Sequence, residues 1–110
     1  MKVIYNNIIP FKGYKAINIF GVLFVRKDAR TPMTQVDFNH EAIHSKQIWE
    51  LLGVLYYVWY VVEFLIRWIC SGFKWDKAYR SICFENEAYS NQDDLTYLDR
   101  RKHYSFFKYF

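Results

Sequence analysis

Two histidines and a glutamate near the middle of the chain are the residues best suited to chemistry. The segment HEAIH begins with His40, continues with Glu41 and ends with His44. On a helix, His40 and His44 project from one face and lie close enough to bind one metal ion. Neutral imidazoles suit zinc, and Glu41 would then point to the open side of the ion, where it could accept a proton from water. The HExxH spacing therefore predicts a zinc site with a general base, and the alternative is a surface helix with two solvated histidines.

A carboxylate later in the chain can complete this site. A helix is predicted from about residue 75 to 92, and on it Ala78, Ile82, Glu85 and Tyr89 fall on one mostly apolar stripe. Glu85 should therefore face inward. A buried carboxylate needs a partner or a metal ion, because burying it unpaired is unfavourable. We expect Glu85 to be the third zinc ligand.

Other assignments for these acidic residues remain open. Glu87 falls on a different, polar stripe with Asp76, Arg80 and Asn91, which predicts an ordinary surface residue. Glu85 could instead form a buried ion pair with Arg67 or another basic residue. His103 is a rival for the third metal position.

Strands are predicted ahead of the motif. Residues 3–5 and 17–25 are rich in β-branched and aromatic side chains, and Gly21 could mark a bulge or a close backbone approach. A strand next to the motif could form the rim of a cleft and pair with an extended peptide, or simply cover one side of the helices. Thr34 and Asp37 have the spacing of a capping box, so the HExxH helix should begin near Thr34.

Residues 51–70 are the most hydrophobic segment and carry only two charges, Glu63 and Arg67. These two are four positions apart, in the order that favours pairing along a helix, and they share one stripe with Tyr56 and Tyr60. A helix with one polar stripe suits a protein core, an oligomer interface or a membrane surface. A full membrane span is the remaining alternative. It fits less well than the others, because charges that face lipid are unfavourable.

Composition narrows the class of protein. A length of 110 residues fits one domain, and an aromatic content of 22% needs a dense core, a partner or a membrane interface. The net charge of +4 is enough for attraction to anionic lipid. The basic residues are too dispersed along the chain to predict nucleic-acid binding. Cys70 and Cys83 imply no disulfide framework. The first residues show no signal-peptide pattern, so we expect a cytoplasmic location, with attachment to the membrane surface as an option.

The two motif segments together resemble the gluzincin-type metallopeptidases. His40, Glu41 and His44 supply the HExxH pattern, and Glu85 with Ala88 supplies an ExxA pattern on a later helix. The resemblance is nearer to the membrane-linked branch with its ExxAD signature than to thermolysin. It also extends to small, uncharacterised HExxH proteins of bacteria. It covers the two motif helices only.

This resemblance implies a minimal zincin-like fold with a defined set of roles. His40, His44 and Glu85 would bind Zn²⁺, and Glu41 would act as the general base that activates a water molecule against a peptide carbonyl. The substrate would be a peptide or protein. A homo-oligomer or another partner could complete the shallow cleft of so short a chain.

Two departures from the family pattern concern the surroundings of the metal. Tyr89 replaces the acid that usually orients a ligating histidine, so that role must pass to another group such as Asp37 or Glu63. Asp37 stands where the family often has Val or Thr, and Lys46 stands where it usually has a hydrophobic residue. Transition-state stabilisation could come from any of Tyr57, Tyr60, Arg67 and His103.

The sequence thus predicts an α+β fold in which a short N-terminal hairpin or sheet packs on about three helices. The predicted segments are strands in 1–33, the HExxH helix in 34–52, a hydrophobic helix in 53–71, the third-ligand helix in 74–92 and a basic aromatic tail in 93–110. The tail could lie on an anionic membrane surface or pack on the hydrophobic helix. The predicted function is zinc-dependent peptide hydrolysis. The alternative is a non-catalytic zinc-binding or membrane-associated interaction protein.

Overall fold

The protein is α+β, as the sequence predicts. The computed structural model describes residues 2–9, 15–28 and 33–110. Within these ranges the elements are β1 (Lys2–Asn6), β2 (Ala16–Ile19), β3 (Val22–Arg26), α1 (Gln35–Glu50), α2 (Val54–Cys70), α3 (Trp75–Ser81), α4 (Cys83–Asn91), α5 (Tyr97–Arg100) and a C-terminal 3₁₀ helix (Ser105–Tyr109).

The strands form one sheet with the order β1-β3-β2, in which β3 is central, parallel to β1 and antiparallel to β2. The single strand predicted over 17–25 is in fact the hairpin β2–β3. Phe20 and Gly21 have positive φ angles of 51° and 86°, and two such residues in succession reverse the chain. Gly21 also meets a neighbour closely, since a Cβ there would lie 3.0 Å from Nε1 of Trp49.

Helix α1 begins where the capping signal predicts. The Thr34 hydroxyl accepts a hydrogen bond from the Asp37 backbone at 3.1 Å, and the Asp37 carboxylate accepts one from the Thr34 backbone at 3.0 Å. At the other end, Leu52 and Gly53 both have positive φ, and helices α1 and α2 meet at an angle of 110°. The predicted break at Gly53 is therefore confirmed.

The helix predicted over 74–92 is divided into α3 and α4 at Ile82, whose ψ of 136° is extended. Nothing in the sequence around Ile82 breaks a helix by itself. Tertiary contacts do so, since the Ile82 side chain is fully buried and the next backbone N–H, of Cys83, donates to Glu63 on α2 at 2.9 Å.

Aromatic side chains from α2, α4 and the C-terminal segment (residues 93–110) build the main core. Phe106 is fully buried, with ring centroids 5.0 Å from Phe84 and 5.6 Å from Trp59. Of the two predictions for the tail, packing on the hydrophobic helix is therefore the one that describes Phe106. Phe107 and Phe110, in the same segment, remain exposed.

Helix α2 turns its polar stripe toward the protein. Tyr56 and Glu63 are its buried residues, and Glu63 accepts a hydrogen bond from Arg67 at 2.6 Å, which is the predicted pair. Most of its aliphatic side chains face outward. Among the described helices, none by itself has the length and hydropathy of a membrane span, and α1 with α2 reaches them only as a pair bent by 110°.

Candidate metal centre

The structure brings His40, His44 and Glu85 together at one point between α1 and α4. Nε2 of His44 lies 3.1 Å from Nε2 of His40 and 2.9 Å from Oε1 of Glu85. The third edge, from His40 Nε2 to Glu85 Oε1, is 3.4 Å. All three residues are buried. Three possible ligand atoms thus converge on one small volume, although His44 and Glu85 are 41 residues apart in sequence.

The two helices that carry these residues are fastened to each other near the site. Asn39, one residue before His40, is buried and its side-chain amide lies within hydrogen-bond distance of three backbone carbonyls at the end of α4: Asn91 at 3.3 Å, Gln92 at 2.9 Å and Asp94 at 2.9 Å. The bonds to Asn91 and Gln92 also satisfy carbonyls that the end of a helix leaves without intrahelical partners. They fix the position of α4 along α1, and with it the distance between the histidines and Glu85.

A glutamine orients the ring of His44. The amide nitrogen of Gln47 donates to the Phe84 carbonyl at 3.0 Å and to Glu87 at 2.9 Å, and both of these partners can only accept. The amide oxygen of Gln47 must therefore face Nδ1 of His44, 2.8 Å away, and accept a hydrogen bond from its N–H. With Nδ1 protonated, Nε2 is the nitrogen directed at the cluster and available for a metal ion.

His40 is oriented in the same way from the other side. Its Nδ1 lies 2.8 Å from the amide oxygen of Gln92, so Nε2 again faces the cluster. The Tyr89 ring packs edge-on against the His40 ring with centroids 4.6 Å apart. Tyr89 therefore positions His40 by ring contact, while Gln92 provides the hydrogen bond that was predicted to come from a carboxylate.

Electrostatic interactions in the cluster are strong because it is buried. Burial disfavours ionised Glu85, but the charge of His44 and hydrogen bonds from both histidines and Tyr60 hold the pKa of that carboxyl well below its usual range. Burial likewise opposes a charged His44, yet Glu85 outweighs it and raises the pKa of His44 to about 9. Tyr60 donates to the second Glu85 oxygen at 2.7 Å. A metal ion would replace the proton that His44 and Glu85 otherwise share.

Glu41 lines the same cavity, which has a volume of about 310 Å³. Burial raises the pKa of its carboxyl, although His44 and His40 pull that pKa downward. Within the described residues, the Glu41 carboxylate makes no hydrogen bond or ion pair; only its backbone carbonyl is engaged, by Asn18 at 3.0 Å and by Ser45 at 3.2 Å. A half-buried carboxylate that makes no hydrogen bond or ion pair and faces a cavity can take up and release a proton.

Tyrosines form much of the remaining cavity wall. Tyr56, Tyr60 and Tyr79 surround Glu85, and burial raises the pKa of each phenol, so all three stay protonated hydrogen-bond donors. Tyr57 also lines the cavity, but its hydroxyl is held by the hairpin, at 2.8 Å from the Phe20 backbone nitrogen and 3.3 Å from the Asn18 carbonyl. Tyr79 was not among the sequence candidates, because a single tyrosine on a predicted helix carries no motif.

Several sequence candidates lie outside the cluster. Asp37 caps α1 and accepts a hydrogen bond from Lys15 at 2.7 Å. Glu63 is bound to Trp59, Arg67 and the Cys83 backbone. Neither touches a cluster imidazole. Arg67 pairs with Glu63 rather than with Glu85, and His103 is 91% exposed beside Glu50.

The prediction that Glu87 is an ordinary surface residue is wrong. Glu87 is fully buried, where it accepts hydrogen bonds from Arg101 at 2.6 Å and from Tyr97 at 2.6 Å. Arg101 also contacts Glu50 at 2.9 Å. The partners come from the C-terminal segment, which covers the side of α4 that the helical pattern assigned to solvent.

The arrangement fits a metal ion. Ligands of a tetrahedral ion with bonds of about 2.0–2.1 Å lie about 3.3 Å apart, close to the three distances within the cluster. Two imidazoles and a carboxylate suit zinc as well as several other transition metals. Comparison of the chain with known protein families, curated proteins and solved structures gives no match.

Proposed function

We propose that the protein is a zinc-dependent hydrolase of peptide bonds, with His40, His44 and Glu85 as ligands and Glu41 as general base. The observation that carries the proposal is the convergence of three buried donor atoms, 2.9–3.4 Å apart, in the wall of a cavity that Glu41 also lines. Bound zinc would act as a Lewis acid and lower the pKa of a water molecule.

The protein's own groups then divide the remaining tasks. Glu41 is free to accept a proton in the cavity, and its raised pKa brings it closer to neutrality, where a general base is most effective. Gln47 and Gln92 hold the imidazoles so that Nε2 faces the site. Tyr60 binds the second oxygen of Glu85, which leaves the first oxygen directed at the cluster.

A peptide substrate is supported by the position of β2. This strand pairs with β3 along one side only and is an edge of the described sheet. Ala16, Ile17 and Asn18 of β2 line the cavity next to Glu41. An extended peptide could add to such an edge by backbone hydrogen bonds, which would bring a carbonyl past the cluster.

A closed structural zinc site is the second candidate, and the ligand count bears on it. Structural sites usually have four protein ligands, whereas catalytic sites have three and an open position. Among the described histidines, cysteines and acids, three residues meet in the cluster, beside a cavity. This count favours hydrolysis over a purely structural role.

The test combines metal analysis with hydrolysis of a mixed peptide library. We expect about one zinc per chain in the native protein and in Glu41→Gln, measured by mass spectrometry that reports all transition metals, and its loss in Glu85→Ala. Hydrolysis should fall about 10²–10⁴-fold in Glu41→Gln, because the amide cannot accept the proton.

Asp93→Asn is the matched control for charge removal, since Asp93 is exposed and makes no hydrogen bond within the described part of the chain. It should keep both zinc and activity. Unchanged hydrolysis in Glu41→Gln would remove Glu41 from the mechanism. A native protein that takes up no metal even after reconstitution would end the proposal as a whole.

A further inference from the structure

Helix α2 presents an apolar face to the outside of the molecule. Eight aliphatic side chains, each 46–63% exposed, form this face: Val54, Leu55, Val58, Val61, Val62, Leu65, Ile66 and Ile69. They follow the helical period on the side opposite the buried polar stripe. Exposed apolar patches of this extent are rare on soluble monomers and mark interaction sites.

The inner side of α2 packs on the rest of the protein, so a partner can bind only its outward face. Glu63 holds Trp59, Arg67 and the Cys83 backbone, and Tyr56 lies in the aromatic core. The helix therefore lies along the protein surface with one side packed on protein. Only the outward half is available to a partner, and that half is apolar along the whole length of the helix.

Exposed aromatic rings border this face. Trp49 precedes α2 by five residues along the chain, and Phe73 and Trp75 follow its end. Phe107 and Phe110 contact Trp59 of the helix, with ring centroids 5.4 and 6.2 Å away. Each of these rings is at least 55% exposed. Tryptophan and other aromatic rings concentrate at the boundary between lipid headgroups and acyl chains, where one part of the ring is apolar and another is wet.

Positive charge accompanies the rings. Lys46 lines a cavity with Trp49, Lys74 lies between Phe73 and Trp75, and Lys108 follows Phe107; these lysines are exposed. Lys77 adds to the group, and Asp76 is an exposed acid among them. With a net charge of +4, a second copy of the chain would be repelled here, whereas an anionic surface would be attracted.

We propose that the outward face of α2 docks on a lipid bilayer that contains anionic lipid, with the helix axis in the plane of the interface. The aliphatic side chains enter the boundary of the acyl region, the bordering rings lie at headgroup level, and the lysines contact lipid phosphates. This proposal does not depend on the metal centre.

Docking would also place the metal centre near the bilayer. The cavity that holds the cluster shares Tyr60 and Tyr79 with an apolar groove of about 510 Å³, which continues to Val61 and Trp75. Val61 belongs to the docking face and Trp75 to its border. Docking would therefore bring the mouth of the groove to the bilayer surface. What this position means for a substrate rests on the proposed function.

The experiment is flotation of the purified full chain with vesicles of phosphatidylethanolamine and phosphatidylglycerol, compared with vesicles of phosphatidylcholine alone. We expect binding to the anionic vesicles that weakens as salt is raised. The double variant Val58→Asp/Val62→Asp should lower the partition coefficient by about tenfold or more, because two carboxylates would enter an apolar boundary. Both positions are exposed, so the fold should tolerate the change.

Ile8→Asp/Leu95→Asp is the matched control, since both side chains are exposed aliphatics outside α2, and it should bind as the native protein does. Tryptophan emission of the native chain supplies a measurement that needs no variant: anionic vesicles should shift it to the blue as Trp49 and Trp75 leave water. Absence of flotation at low salt, or equal flotation of the α2 variant, would overturn the proposal. A dimer in sedimentation that the α2 variant dissociates, without vesicle binding, would assign the face to a second copy instead.

Discussion

A chain of hydrogen bonds runs from His44 through Gln47 to Glu87 and Arg101. Replacing Gln47 by Leu removes the acceptor that fixes the His44 ring and leaves buried polar groups without a partner. We expect a loss of about 1–3 kcal/mol in the free energy of unfolding and a weakening of zinc affinity by about 10–100-fold. Urea denaturation and competition with a zinc chelator would measure the two effects.

Gln35→Leu is the control for this substitution, since Gln35 is an exposed residue at the start of the same helix. It should leave zinc affinity unchanged. A Gln47→Leu protein that loses stability but binds zinc as tightly as the native chain would show that the amide supports the fold and has no part in positioning His44.

At the level of residues, the sequence predicted the cluster but not its supports. His40 and His44 are visible because two imidazoles four positions apart form a recognisable pattern, and Glu85 because its stripe is otherwise apolar. Gln47 and Gln92 are not visible. An amide is common on protein surfaces, and its role here depends on which groups the folded chain brings to each of its atoms.

At the level of elements, helical periodicity is reliable only while a helix continues. The helical pattern that predicts an inward Glu85 also predicts an outward Glu87. Both side chains are buried, because α4 lies between α1 and the C-terminal segment. The break at Ile82 arises from burial of its side chain and from the Cys83 bond to Glu63. By contrast, the start of α1 was predictable, since Thr34 and Asp37 cap it through contacts three residues apart.

The cap of α1 gives a prediction about pH. Burial opposes ionisation of Asp37, but hydrogen bonds from Lys15 and Thr34 outweigh it and lower its pKa below the ordinary value of 3.8. A carboxyl whose pKa is lower in the folded state stabilises the fold above its unfolded pKa, and this contribution is lost as the pH falls through the folded value. Asp37→Asn should therefore reduce stability by about 1 kcal/mol or less at neutral pH.

Urea denaturation near pH 7 and near pH 3 would measure this difference for Asp37→Asn and for Asp93→Asn, an exposed carboxylate outside the cap. The gap between native and Asp37→Asn should shrink at the lower pH, while Asp93→Asn should track the native chain throughout. A gap of equal size at both values would mean that hydrogen-bond geometry, and not charge, supports the start of α1.

At the level of the whole molecule, the candidate metal centre joins parts of the chain that are far apart in sequence. His44 and Glu85 are separated by 41 residues, and between them lies α2, whose outward side is apolar. The sequence identified α2 as hydrophobic with one polar stripe, but periodicity alone does not say which side faces the protein. That orientation is decided by contacts with other elements, namely the Cys83 backbone bound to Glu63 and the core residues packed around Tyr56.

Under the proposed function zinc should stabilise the entire fold, because its proposed ligands are assembled only in the folded state. At a free concentration about 100 times its dissociation constant, it would add about 2.7 kcal/mol, which for a chain of this size raises the unfolding temperature by roughly 10 °C. Differential scanning calorimetry with and without zinc would measure the shift. His44→Ala should abolish it, whereas His103→Ala, which removes a histidine that is 91% exposed and distant from the cluster, should keep it. An equal shift in both variants would place the zinc elsewhere on the chain, and no shift in the native protein would contradict zinc binding at the cluster.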